Sequence, residues 1–187
     1  MADADGRIVW IDCEMTGLDP DSDVLVEIAC IVTEADLTPV DDGISLVISA
    51  PAEKLEQMDD VVVDMHTKSG LLPEIPGGLD LADAQEQVLA YVKEHVPAPR
   101  SAPLAGSSIY VDRGFLAHYM PELNEHLHYR LIDVSSIKEL AKRWYPKAYY
   151  DSPEKTGNHR ALGDIRDSIE ELRYYRESLM PEPTPKS

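Results

Sequence analysis

Apolar residues run together from Ile8 and again from Val24 to Thr33, where Glu27 is the one charged interruption. Such unbroken runs predict strands buried on both faces rather than the alternation of a half-exposed sheet. A third β-rich run, Ile44 to Ser49, follows the polar connection Glu34 to Gly43, and three runs this close predict an antiparallel meander. The period then changes. Ala52 to Gly70 is helical in character with Gly70 as a natural stop, and Asp80 is placed to cap a helix bearing Leu81, Ala84, Val88, Tyr91, Val92 and His95 at helical spacing. Leu104 to Ser107 predicts a short strand after the proline-rich loop Pro97 to Pro103. Asp112-Arg113 opens a helix carrying Phe115, Leu116 and Tyr119 that Pro121 stops. Leu131 to Val134 predicts another short strand, and Ser135 caps a helix with Ile137, Leu140, Ala141 and Trp144 on one face, ended by Pro146. Lys138, Lys142 and Arg143 read as its solvated surface. After a loop from Lys147 to Asn158, a last helix is expected from about His159 to Leu179, with Leu162, Ile165, Ile169, Leu172 and Tyr175 as its buried stripe. Residues 1–7 are expected to be mobile, 8–180 to form a single domain and 181–187 to be a disordered tail. Strands first, then helices interleaved with short strands, predict one mixed α/β sheet with helices on both faces.

Composition narrows the partners. The chain has 187 residues, enough for one domain with a full core, and no apolar run approaches the roughly 20 residues of a membrane span. Its start has neither a basic region nor an apolar segment of a secretory signal, and Cys13 and Cys30 both fall in predicted strands, so a cytoplasmic protein with reduced core thiols is expected. A formal net charge of -18 argues against long DNA or RNA lying along the surface, since neutralising many phosphates takes a basic face. A very short phosphodiester anchored by metal is not excluded. Asp19-Pro20-Asp21-Ser22-Asp23 imitates a calcium loop, but Val24 stands where that loop needs glycine and Cys30 where it needs glutamate, so these aspartates read as a solvated loop.

Asp12-Cys13-Glu14 is harder to place on a buried strand. Side chains at i and i+2 share a face, roughly 7 Å apart along the chain. Two like charges at about 4 Å repel by about 4 kcal/mol at an effective dielectric near 20. Either the pair sits on an edge facing water, or one acid is protonated, or a cation lies between them; oxygen ligands suit a hard ion such as Mg2+ or Mn2+. Glu27 reads equally as a partner of that acid site or as a strand-end charge. Asp112 could be only a helix cap, and His66 only a satisfied core histidine.

Together with Asp112, His159 and Asp164, the pair forms a known pattern. D-x-E on the first strand, a distal aspartate, and H-x4-D on the last helix resemble the signature of the DEDDh 3'-to-5' exonucleases, which have an RNase H-like fold. Within them the chain is similar to the oligoribonucleases, through Trp10 to Pro20, Met65-His66, Ser69-Gly70-Leu71, His128-Tyr129-Arg130, Asp133 to Ser136, Lys138 to Ala141 and Arg143-Trp144. The resemblance implies two divalent cations, Mg2+ or Mn2+: one held by Asp12, Glu14 and Asp164, the second bridged by Asp12 and supported by Asp112. It implies His159 as general base. It further implies Leu18 as an apolar wedge, His66 as a pocket wall, and Ser108, Arg130, Ser135 and Ser136 as a cap on the 5' phosphate of a dinucleotide. Tyr129 would reach into the neighbouring subunit's site of a homodimer.

The implied activity is removal of 5'-mononucleotides from very short RNA, with action on longer single-stranded DNA or RNA as the alternative and nucleotide binding without cleavage as a non-enzymatic one. Two departures stand out. Ser107-Ser108-Ile109-Tyr110-Val111-Asp112-Arg113 replaces the common N-S-I-G-Q-D-R, and Val61 stands where many members carry tryptophan.

Overall fold

The computed structural model describes residues 6–156 and 159–181, so parts of the two expected unstructured ends (1–5 and 182–187) and Gly157 and Asn158 of the expected loop lie outside the described residues. Five strands form one mixed sheet in the order β3-β2-β1-β4-β5. β1 (Ile8–Met15), β2 (Leu25–Thr33) and β3 (Ile44–Val47) make the antiparallel meander; β4 (Leu104–Gly106) and β5 (Leu131–Asp133) continue the sheet in parallel on the other side of β1. β2 is buried at every position, which explains its unbroken apolar text.

Helices cover both faces. Val9, Ile11 and Cys13 pack with residues of α3 (Leu81–His95), α4 (Tyr110–Tyr119) and α5 (Pro121–His126), whereas Ile8 and Trp10 pack with α8 (Ala161–Leu179) and Val134 of α6 (Val134–Trp144). Asp12 and Glu14 are in phase with Trp10 and therefore share the α8 face. Ile165, Ile169, Leu172 and Tyr175 are the buried stripe of α8, as their spacing predicts. Asp80 caps α3 by accepting from the Ala82 amide at 2.9 Å.

Several local expectations give way. The segment Ala52 to Gly70 is two helices, α1 (Ala52–Glu56) and α2 (Asp60–Lys68), because Asp59 takes an extended conformation with ψ 147°. Gly70, at φ +76°, does follow the end of α2 in the left-handed region a non-glycine residue avoids. Pro121 and Pro146 stop one helix and start another, α5 and α7 (Pro146–Tyr150), since a proline at the first position has no amide to leave unpaired. The cap of α6 is Asp133, which accepts from the Ser135 amide at 2.9 Å, and not Ser135. On α6 only Ala141 of the expected apolar face is buried, and Trp144 is 65% exposed. Lys138 is not merely solvated: its ammonium lies 2.8 Å from a carboxylate oxygen of the buried Glu171 on α8. Of the expected mobile start, Arg7 pairs with Glu34 and donates to the His95 carbonyl.

Candidate active site

The parallel strands end at one edge of the sheet, and the chemistry gathers there, as it does at the carboxyl ends of strands in open α/β sheets. β4 is in register with β1 only at Val9 and Trp10, so the outer edge of β1 runs on without a ladder partner. Gly106 permits this close junction: a Cβ there would come within 3.0 Å of the Ile11 carbonyl oxygen. Beyond it the Cys13 amide donates to Asp112 Oδ1 at 2.9 Å. Asp112 lies in the first turn of α4, which begins at Tyr110, and its carboxylate serves the bare strand edge rather than its own helix end.

Asp12 and Glu14 face Asp164 in the first turn of α8, and one carboxylate oxygen from each lies within 4.8 Å of the others. Burial pushes the Glu14 carboxyl up to about 8, with the charges of Asp164, Glu27 and Asp112 adding to it. Burial also raises Asp12 well above the usual range, assisted by Asp112, Glu14 and Asp164. Asp112 is pushed up to about 7 by burial, against the Cys13 amide that pulls it down. Asp164 shifts upward by burial, opposed by His159 and Lys155. A set of oxygen donors that resists ionisation by itself fits a hard divalent cation, whose charge reverses that resistance.

The histidine of the motif precedes the helix. His159 is exposed, with φ +48°, and α8 begins at Ala161 after Arg160 as its N-cap residue. His66, expected to line a pocket, is wholly buried behind the acids. Its Nε2 donates to the Met15 carbonyl oxygen at 2.8 Å, and its Nδ1, 3.9 Å from Glu14 Oε2, has no hydrogen-bond partner among the described residues. Leu18 projects from the β1–β2 turn, and Val61 from α2; both are exposed.

The residues expected to cap a phosphate only partly converge. Ser108, at φ +54°, donates from its amide to Asp133 Oδ1 and to Ser135 Oγ at 2.9 Å each, and the two serine hydroxyls lie 3.2 Å apart. Asp133 thus takes up the amides of both Ser108 and Ser135; Ser108 and Ser136 are exposed and Ser135 is half-buried. Tyr129 and Arg130 project together from the loop before β5, the guanidinium 5.5 Å from the ring centroid.

Neither Lys155 nor the partner of Glu27 was foreseen. Lys155 stands near the acids, drawing down Asp12 and Asp164, with its Nζ 3.4 Å from Ser107 Oγ. Glu27, which the sequence leaves open between a partner of the acid site and a strand-end charge, is the third residue of β2, directly opposite Glu14, and binds Arg160. A lone charge in an apolar strand was the signal for it, but nothing local named its partner.

The exonuclease family profile, RNase_T, matches residues 9–172. An oligoribonuclease of Streptomyces griseus is 60% identical over 182 residues, covering 97% of this chain and 90% of the relative. One of Leifsonia xyli subsp. xyli is 56% identical over 186 residues, covering 99% and 90%. The chain belongs to the oligoribonuclease family of exonucleases. As a family member it is a nuclease that hydrolyses phosphodiester bonds. Solved structures share the fold at low identity: exonuclease I of Methylocaldum szegediense (TM-score 0.65, 19% identity, 92% of this chain and 41% of that one) and a zinc-bound complex of E. coli exonuclease I with single-stranded DNA (0.70, 12%, 93% and 41%). This chain spans about two fifths of those longer chains, and the likeness identifies the sheet as RNase H-like. Among the described residues no helix is long and apolar enough to cross a membrane.

Proposed function

We propose that the chain is a 3'-to-5' exoribonuclease of the cytoplasm that acts on very short RNA, dinucleotides above all, and releases 5'-mononucleotides. The observation that carries this is the convergence of Asp12, Glu14 and Asp164 within 4.8 Å at the strand ends, with their carboxyls held in an environment that favours a cation. In this reading Asp12, Glu14 and Asp164 hold one Mg2+ or Mn2+ ion, and Asp12 with Asp112 a second. Asp112 keeps one oxygen for that task, because the other accepts from the Cys13 amide. The bound ions supply an acidified water and stabilise charge on the departing 3' oxygen.

The remaining work falls to the protein. His159, exposed beside the acids, accepts the proton of the attacking water, a role suited to an imidazole whose ordinary pKa is about 6.5. Leu18 wedges against a base, and His66 holds the wall behind Glu14. The hydroxyls of Ser108 and Ser135, with Ser136 and the Arg130 guanidinium, receive the 5' phosphate. Tyr129, exposed next to Arg130, serves the site of the second subunit in a homodimer. The net charge of -18 supports a substrate with one or two phosphates over a long strand that needs a basic track.

A chain-length series of labelled oligoribonucleotides, run with Mg2+ and with Mn2+, tests the proposal. Dinucleotides should turn over fastest; a 20-mer cut faster than a dinucleotide would instead establish the reading as an exonuclease of longer single strands. A monomeric variant that folds and keeps full dinucleotide turnover would remove Tyr129 from the account.

A further inference from the structure

Glu27 and Arg160 have no part in the chemistry just described, yet among the described residues they form a heavily bonded charged group near it. Glu27 is 1% exposed and is the third residue of β2. Arg160 grips it from the segment after His159: Nε lies 3.1 and 3.3 Å from the two carboxylate oxygens, and Nη2 lies 3.0 Å from Oε1. The Ala161 amide donates to Glu27 Oε2 at 3.1 Å, so the first residue of α8 is tied to the same carboxylate. Ser45 Oγ of β3 donates to Oε1 at 3.2 Å. On its outer side Arg160 meets Glu74, which follows α2, with Nη2 2.9 Å from Oε2.

What this group holds is the residue immediately before it. His159 sits at φ +48°, a left-handed conformation that a non-glycine residue does not keep unless its surroundings impose it. Arg160, next in the chain, is extended at φ −123° and ψ 128° before the helix starts. The backbone therefore reverses within two residues, and Arg160 and Ala161 are both fastened to one buried carboxylate. His159 itself is exposed and lies one residue outside that clamp.

We infer that Glu27 and Arg160 are positioning residues: their bidentate ion pair, closed by Glu74, holds the His159 imidazole at the acid site in the orientation its proton transfer requires. This rests on His159 being the general base. Glu27 contributes charge and geometry through Arg160 and the Ala161 amide, and contacts neither substrate nor the attacking water.

A double-mutant cycle on the full chain with saturating Mg2+ tests it. Glu27→Gln should lower dinucleotide kcat at least about tenfold with KM changed less than about twofold, because a loosely held base is used less often while the substrate still binds. In a His159→Ala background the same change should cost nothing further. Mn2+ affinity measured by calorimetry should stay within about twofold of the unsubstituted protein. If Glu27→Gln does not fold, Arg160→Lys, which keeps the charge but loses the fork, carries the same cycle with a smaller expected drop of about threefold. An equal fall in kcat with and without His159, or a loss of Mn2+ affinity, overturns the inference and assigns Glu27 to the metal site through Glu14. Full kcat in His159→Ala alone overturns the base reading, and this inference with it; loss there combined with an unaffected Glu27→Gln overturns the inference only.

Discussion

Glu14 and Glu27 stand opposite each other in the antiparallel register of β1 and β2, and both are nearly inaccessible, at 8% and 1% exposure. Their partners differ completely. Glu27 accepts from a guanidinium fork, a helix-start amide and a serine hydroxyl. Glu14 has a histidine nitrogen at 3.9 Å and two other carboxylates for neighbours. A carboxylate whose lone pairs are all answered by protein donors is part of the framework; one left among like charges is a place for a cation from outside. Two residues of the same type, one rung of the same sheet, thus separate fold from function.

Neutralising each glutamate in turn should break the symmetry in opposite directions. The largest effect is expected for Glu14→Gln: dinucleotide turnover should fall by at least about a hundredfold, on the scale of losing a group that acts at the reacting centre, while the thermal midpoint of the chelated protein at pH 8 should rise because a repulsive buried charge is gone. A variant that is both inactive and less stable would contradict this account of Glu14. Glu27→Gln should do the reverse to stability, costing about 1.5–3 kcal/mol for the lost charged hydrogen bonds, read from urea denaturation.

The second effect is the pH dependence of the metal-free fold. Glu14 at about 8 and Asp112 at about 7 lie above their ordinary 4.5 and 3.8, so between those limits the folded state holds protons that the unfolded state has released. The contribution of these two groups to stability is therefore full below about pH 4 and is lost as pH rises through 7 and 8. With EDTA the melting temperature should drop from pH 5 to pH 8, and saturating Mg2+ should flatten that drop, because bound cation takes the place of the protons. A metal-free melting temperature that rises over this range would refute the burial of an unpaired acid group. The smallest effect is Ser45→Ala, which removes one of the donors to Glu27 and should cost about 0.5–1.5 kcal/mol with no change in KM.

The sequence and the structure agree most where periodicity is long. β2, α3 and α8 announce themselves because each repeats one burial pattern over nine or more residues. The acid site was legible for a different reason: Asp12 and Glu14 violate the pattern they sit in. The misses are short and local. α5 and α7 follow prolines that end the preceding helices, and at that scale a stop signal and a start signal are the same residue. Ser135 and Asp133 both suit a cap, and only the backbone decides which oxygen reaches the amide. Partners such as Glu27 with Arg160, 133 residues apart, or Lys138 with Glu171, are made by tertiary packing and leave no trace in spacing.

Cys13 lies between the two site carboxylates of β1 with its side chain on the opposite face, among the buried residues packed with α3 and α4. Burial and the nearby Asp112, Asp12 and Glu14 charges keep its thiol protonated, and Cys30 is buried alongside in β2. Only a thiolate attacks an alkylating reagent, so neither sulfur reacts while the sheet is closed. The chain therefore carries its own clock: the alkylation rate at Cys13 counts openings of the β1–β2 ladder, and under the proposed two-ion reading Mg2+ should slow it by locking the strand.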